Sequence, residues 1–92
     1  KRLSRTAVNI ARPIGTVGGL VTDAAMRPDG SGYVVRDYVD GELFSGRPVG
    51  RSAGEIELPF QLQGEAMTWT ADGSALLLAS ERENRLLRLP VR

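Results

Sequence analysis

The feature that most constrains this chain is a weak internal echo at an offset of 43 residues. Asp29-Gly30-Ser31 laid over Asp72-Gly73-Ser74 fixes that offset, and the match extends both ways without insertion or deletion. Met26 meets Trp69 and Pro28 meets Ala71. Tyr33-Val34-Val35 meets Leu76-Leu77-Leu78, and Leu43-Phe44 meets Leu86-Leu87. Asp40-Gly41 meets Glu83-Asn84, turn chemistry over turn chemistry. Asp-Gly between apolar runs is a strong short hairpin signal.

Each copy reads as short strands between turns. The first predicts strands over 21–26, 33–38, 42–44 and 55–58. A tight turn falls at 28–31, a second at Asp40-Gly41, and a Gly/Pro/Ser-rich loop spans 45–54. The second copy predicts strands over 66–70, 76–80 and 86–89. Tyr33-Val34-Val35 and Leu76-Leu77-Leu78-Ala79 are continuously apolar, which suits a middle strand covered on both faces. Leu and Ala favour a helix over 74–82 by propensity. The preceding Asp-Gly turn and the parallel with Tyr-Val-Val favour a strand.

A period near 40–45 holding several short strands is the pattern of β-propeller blades. The expected fold is therefore all-β, with two four-stranded antiparallel blades forming part of a propeller. Residues 19–61 would be the first blade and 62–92 the second, with only three strands of its own. The segment 1–18 would supply a linker and a strand over 6–11, ended by Pro13 and Gly15, to complete a last blade within or between chains. Two blades cannot close a ring, and exposed apolar faces drive association. Propellers hold about 4–8 blades, so three copies would give six and four copies eight. A homo-oligomer, trimer or tetramer, is expected; the rival is a longer chain that supplies the remaining blades. A start at Lys1 instead of Met fits a trimmed, excised or engineered product alike.

Composition removes several function classes. Net charge is +1 and the arginines are scattered, so neither nucleic acid nor a membrane surface is an expected partner. No apolar run reaches the ~18 residues of a membrane span. With no Cys there is no disulfide or thiolate metal site, and with no His the commonest general base and metal ligand is missing. There is no Gly-x-Ser-x-Gly elbow, P-loop or Gly-x-Gly-x-x-Gly. Gly15-Thr16-Val17-Gly18-Gly19 reads as a linker. No catalytic residue or metal ligand is assigned, and no cofactor is expected, calcium being the one candidate.

The run from Val21 through Met26-Arg27-Pro28-Asp29-Gly30 to Tyr33-Val34-Val35-Arg36-Asp37-Tyr38 resembles a blade of the bacterial Pro-Asp-Gly propellers, the TolB-like and WD40-like repeats. Gln63-Gly64-Glu65-Ala66-Met67 with Thr70-Ala71-Asp72-Gly73-Ser74 is similar to blades of secreted actinobacterial propellers of the esterase-like and phytase-like group. The resemblance covers 19–89 and implies the fold, and with it a secreted or periplasmic setting. The dense acidic calcium ligands of propeller phytases are missing, as are the Gly-His and Trp-Asp pairs of WD40 repeats.

Innermost propeller strands line the channel, and their starts open where ligands bind. Asp23 and Glu65 stand near the starts of equivalent inner strands, and Thr22 is the counterpart of Glu65. These carboxylates either form an axial ring for a cation or basic ligand, or cap strand ends and neighbouring arginines. Arg36 and Asp37, with Glu81 and Arg82, end the second strands; they bridge blades, or Arg36 holds a carboxylate ligand. Asp29 and Asp72 are turn residues. Trp69, Tyr33 and Tyr38 are core, or stacking platforms for a sugar or base. Two functions follow: a scaffold or binding module of unknown ligand, more consistent with a chain that is not itself an enzyme; or a fragment of a secreted propeller hydrolase, esterase-like or phosphoesterase-like, that would need a metal or paired acids.

Overall fold

The computed structural model describes residues 2–48, 50–61 and 63–91. Its seven strands are β1 (Asp23–Met26), β2 (Gly32–Arg36), β3 (Asp40–Ser45), β4 (Arg51–Glu57), β5 (Gly64–Trp69), β6 (Ala75–Ser80) and β7 (Glu83–Pro90). They form two antiparallel meanders, β1-β2-β3-β4 and β5-β6-β7, and no helix is present among the described residues. The all-β expectation holds, and 74–82 contains a strand. The second sheet has three strands, the number expected from residues 62–92 alone, and is not completed to the four of a full blade.

The two Asp-Gly hairpins are built from the same parts. Gly30 N–H donates to Arg27 O and Arg27 N–H to Gly32 O; 43 residues on, Gly73 N–H donates to Thr70 O and Thr70 N–H to Ala75 O. Ser31 N–H donates to Asp29 Oδ1 at 2.8 Å and Ser74 N–H to Asp72 Oδ1 at 3.0 Å. Gly30 and Gly73 take φ +75° and +71°, the left-handed region that glycine enters without steric cost. The pairing agrees too: Asp23 opposes Arg36 as Ala66 opposes Ala79, and Met26 opposes Tyr33 as Trp69 opposes Leu76.

The next hairpins differ. Arg36 opposes Gly41 around a four-residue connection, whereas Ser80 opposes Glu83 around two residues. Asp40-Gly41 is therefore not the turn that its chemistry predicts. Asp37 Oδ1 accepts the amides of Val39 and Asp40, both at 2.7 Å, so the chain reverses earlier and Asp40-Gly41 joins β3. Likewise Glu83-Asn84 belongs to β7. β4 begins at Arg51, inside the expected loop, because a bulge at Leu43/Phe44 lets the ladder continue.

β2 is an interior strand of its sheet, as is β3, and β6 is the middle strand of the other; the unbroken apolar runs of β2 and β6 imply such positions. The sheets meet along β1 and β5. Val34, Met67, Trp69, Leu76, Leu78 and Leu58 form the core between them, with Ala25, Leu43, Ile56, Leu87 and Leu89 packed against it. The first sheet contributes positions such as Ala25, Val34 and Leu43, and the second Met67, Trp69, Leu76, Leu78, Leu87 and Leu89.

Residues 2–20 are exposed throughout, and the strand expected over 6–11 joins no ladder in the single chain. Local bonds organise its start instead. Ser4 Oγ accepts the amides of Thr6 and Ala7, and the Asn9 side chain bonds the Ser4 backbone. Without a sheet edge beside it, a strand leaves its amides unmet, and side chain-to-backbone bonds compete. The boundary expected between residues 61 and 62 falls at Leu62, outside the described residues.

Candidate functional site

Antiparallel pairing brings the starts of β1 and β5, the ends of β2 and β6, and residues 58–61 after β4 to one end of the molecule. Asp23, Arg36, Glu65 and Glu81 all lie there, but the chain does not gather them into one cluster. Asp23 and Arg36 form the seam between sheets. Asp23 Oδ2 accepts the Met67 amide at 2.7 Å while its Oδ1 accepts the Ala24 amide. Arg36, 1% exposed, donates from Nη1 to Ala66 O at 3.3 Å and from Nε to Asp37 O at 3.0 Å. Thr22 Oγ1 donates to Gly64 O, and Trp69 Nε1 to Ala25 O at 3.1 Å. Each of these bonds except Nε to Asp37 O, and Oδ1 to Ala24, ties the first sheet to the second.

The seam's electrostatics follow from burial. Desolvation lowers the pKa of Arg36, and the carboxylates of Asp23 and Asp37 oppose that shift. Asp37 is held below the usual carboxylate value chiefly by the Asp40 and Val39 amides. Nη2 of Arg36 has no hydrogen-bond partner among the described residues and lies against Gly64, where a Cβ would collide with it. The requirement for glycine at position 64 thus comes from the buried guanidinium across the seam.

Glu65 accepts a long bond from Tyr38 Oη at 3.4 Å. Glu81 is exposed in the β6–β7 turn and shares no hydrogen bond or ion pair with the other three among the described residues. Trp69 is core: 6% exposed, with Arg27 Cζ 4.4 Å above its ring. Tyr33 is also buried, stacked on Phe44 at 4.8 Å and accepting the Gly50 amide on its hydroxyl. Asp29 and Asp72 are turn residues. Asp72 Oδ1 accepts from Ser74 Oγ, Thr70 Oγ1 and the Ser74 amide, which lowers its pKa to about 2.

One part of this end escaped the sequence reading. A cleft of ≈ 360 Å³ is lined by Tyr38, Val39, Phe60, Gln61 and Gln63, with Glu57 and Leu58. Val39 and Phe60 are 68% and 80% exposed, whereas Gln61 is 4% exposed with neither amide atom bonded among the described residues. An isolated Gln in a loop gives no signal of this kind, because its burial depends on tertiary packing.

Chemically, the seam is cement. Its carboxylate and guanidinium are engaged with backbone, and among the described residues of the seam no hydroxyl is bonded to a carboxylate. No group of three or more acidic, His or Cys side chains that could hold a metal occurs among the described residues. Compared with models of known families, with curated proteins and with solved structures, the chain matches none.

Proposed function

We propose that this chain is a two-blade unit of a β-propeller, a scaffold or binding module whose ring is completed by further copies of itself. The observation that carries the proposal is the equivalence of the two sheets at an offset of 43 in turn bonds and in first-hairpin register. The meeting of the sheets along their first strands supports it, since propeller blades are arranged with the first strand innermost. The Pro-Asp-Gly turn at Pro28-Asp29-Gly30, on which the resemblance to bacterial propellers rests, is consistent with this reading. On this proposal residues 6–11 add a fourth strand beside β7 of a neighbouring copy; β7 is the last strand of its sheet among the described residues, whereas β3 is followed by β4.

Light scattering after size exclusion tests it. A trimer or tetramer supports the ring, with a trimer expected; a stable monomer removes it. Melts in millimolar calcium separate the scaffold from the metal-dependent hydrolase: the scaffold predicts no shift in Tm.

A further inference from the structure

Each sheet has one face in the core between the sheets and one face turned away, and register identifies the second kind. On the first sheet it holds Ala24, Met26, Tyr33, Val35, Glu42, Phe44 and Glu55; on the second, Ala66, Thr68, Leu77, Ala79, Leu86 and Arg88. Burial alternates accordingly along β5 and the end of β7.

The offset of 43 relates these faces to the core faces crosswise. Ala24, Met26, Tyr33 and Val35 are the counterparts of Met67, Trp69, Leu76 and Leu78. Thr68 and Leu77 are the counterparts of Ala25 and Val34. The free face of the first sheet is thus the equivalent of the second sheet's core face, and the reverse. The junction already formed inside one chain can therefore be repeated between chains, head to tail, which is the heterologous contact that closes rings.

At one place the chemistry of that repeat changes. Leu43 opposes Val34 and Leu87 opposes Leu78, and both leucines pack against the core. The residues in the corresponding positions are Arg88, which opposes Leu77, and Glu42, which opposes Val35. Two leucines that pack against the core inside the chain thus correspond to an arginine and a glutamate on the two free faces. Glu42 moreover stands directly opposite Glu55, a like-charge pair that is unfavourable without a cation. Neither carboxylate has a hydrogen bond or ion pair among the described residues. Arg88 is exposed, and its charge acts on the Asp72 carboxylate.

We propose that copies of this chain associate through these two faces, with Arg88 of one copy against Glu42 and Glu55 of the next. The inference rests on the ring reading and names its contact. The chain before β1 is placed to assist. Val17, Gly18 and Val21 line a cavity of ≈ 250 Å³ together with Val35, Glu42, Phe44 and Glu55, so the segment leaves on the side where the neighbour docks.

The test is a charge exchange in the full chain, read by light scattering with circular dichroism as the check on folding. Arg88→Glu alone, and Glu42→Lys with Glu55→Lys alone, should each lose the wild-type mass. Their equimolar mixture should reassociate through alternating contacts, as pairs or as closed rings with an even number of chains and never as a closed trimer, because each variant accepts the other on both sides and rejects itself. Arg88→Lys should keep the wild-type mass. Reversed variants that keep the wild-type mass, or folded variants that stay apart when mixed, overturn the contact while an oligomeric wild type leaves the ring standing. A monomeric wild type overturns both.

Discussion

At the scale of single residues, Gln61 and Arg36 carry buried polar atoms that find no hydrogen-bond partner among the described residues. Gln61 holds both of its amide atoms out of water in this way, and each unmet buried polar group costs about 1–3 kcal/mol. Gln61→Leu, of similar volume, should therefore raise stability by about 1–3 kcal/mol, measured as a higher midpoint in urea; an unchanged or lower midpoint would mean that the amide is bonded in solution. Gly64 is the converse case. Gly64→Ala drives a methyl into the Arg36 guanidinium and should cost roughly 1–3 kcal/mol, the range for overpacking a close-packed site. Shortening the arginine in the same chain should recover part of that loss in the same denaturation assay. Asp23 is the third test. Asp23→Ala leaves the Met67 amide without its acceptor and removes one of the two carboxylates that act on the buried guanidinium. A loss of about 1–3 kcal/mol is expected, with non-additivity against Arg36→Met in a double-mutant cycle.

At the scale of elements, the hairpins carry the pH dependence. Asp72 titrates at about 2 in the folded chain against an ordinary 3.8, because Ser74 and Thr70 donate to its ionised form. A lowered folded pKa means that its stabilising contribution is fully present above 3.8 and is lost as pH falls towards 2. Thermal melts of wild type and Asp72→Asn should differ most at neutral pH and converge below about pH 2. A gap that persists there would assign the effect to shape and not to charge. The hairpins also show what could be read in advance. Asp29-Gly30 and Asp72-Gly73 were legible because a glycine with positive φ after an aspartate is a local requirement. Asp40-Gly41 misled because Asp37, three residues earlier, captures two amides and closes the turn first. Asp23, Arg36, Glu65 and Glu81 could be placed at one end of the sheets, since alternation and strand ends decide that. Their partners could not: the Asp23 bond to Met67 spans 44 positions and depends on how the sheets are set against each other.

At the scale of the molecule, a chain of 92 residues has a core made almost wholly between two sheets, and residues 2–20 contribute no buried side chain to it. Removing residues 1–16 should shift the melting midpoint of the isolated unit little, as surface changes do, yet weaken association measured by light scattering. A large drop in the midpoint would show that the segment folds back on its own chain. Leu86, 68% exposed on the free face of β7, offers the complementary change. Leu86→Ser should leave the fold within ~0.5 kcal/mol while lowering the assembled fraction at a given concentration.

The two meanders differ by two residues in the span around their second hairpins, and that number has a consequence for what the chain tolerates. Along a strand, neighbouring side chains point to opposite sides, so only displacements by even steps preserve which side is greasy. Adding a pair of residues to the Glu81-Arg82 reversal should be absorbed; adding one residue should turn Leu87 and Leu89 outward and bring Leu86 and Arg88 into the interior. In this protein, length variation at that reversal should come in twos.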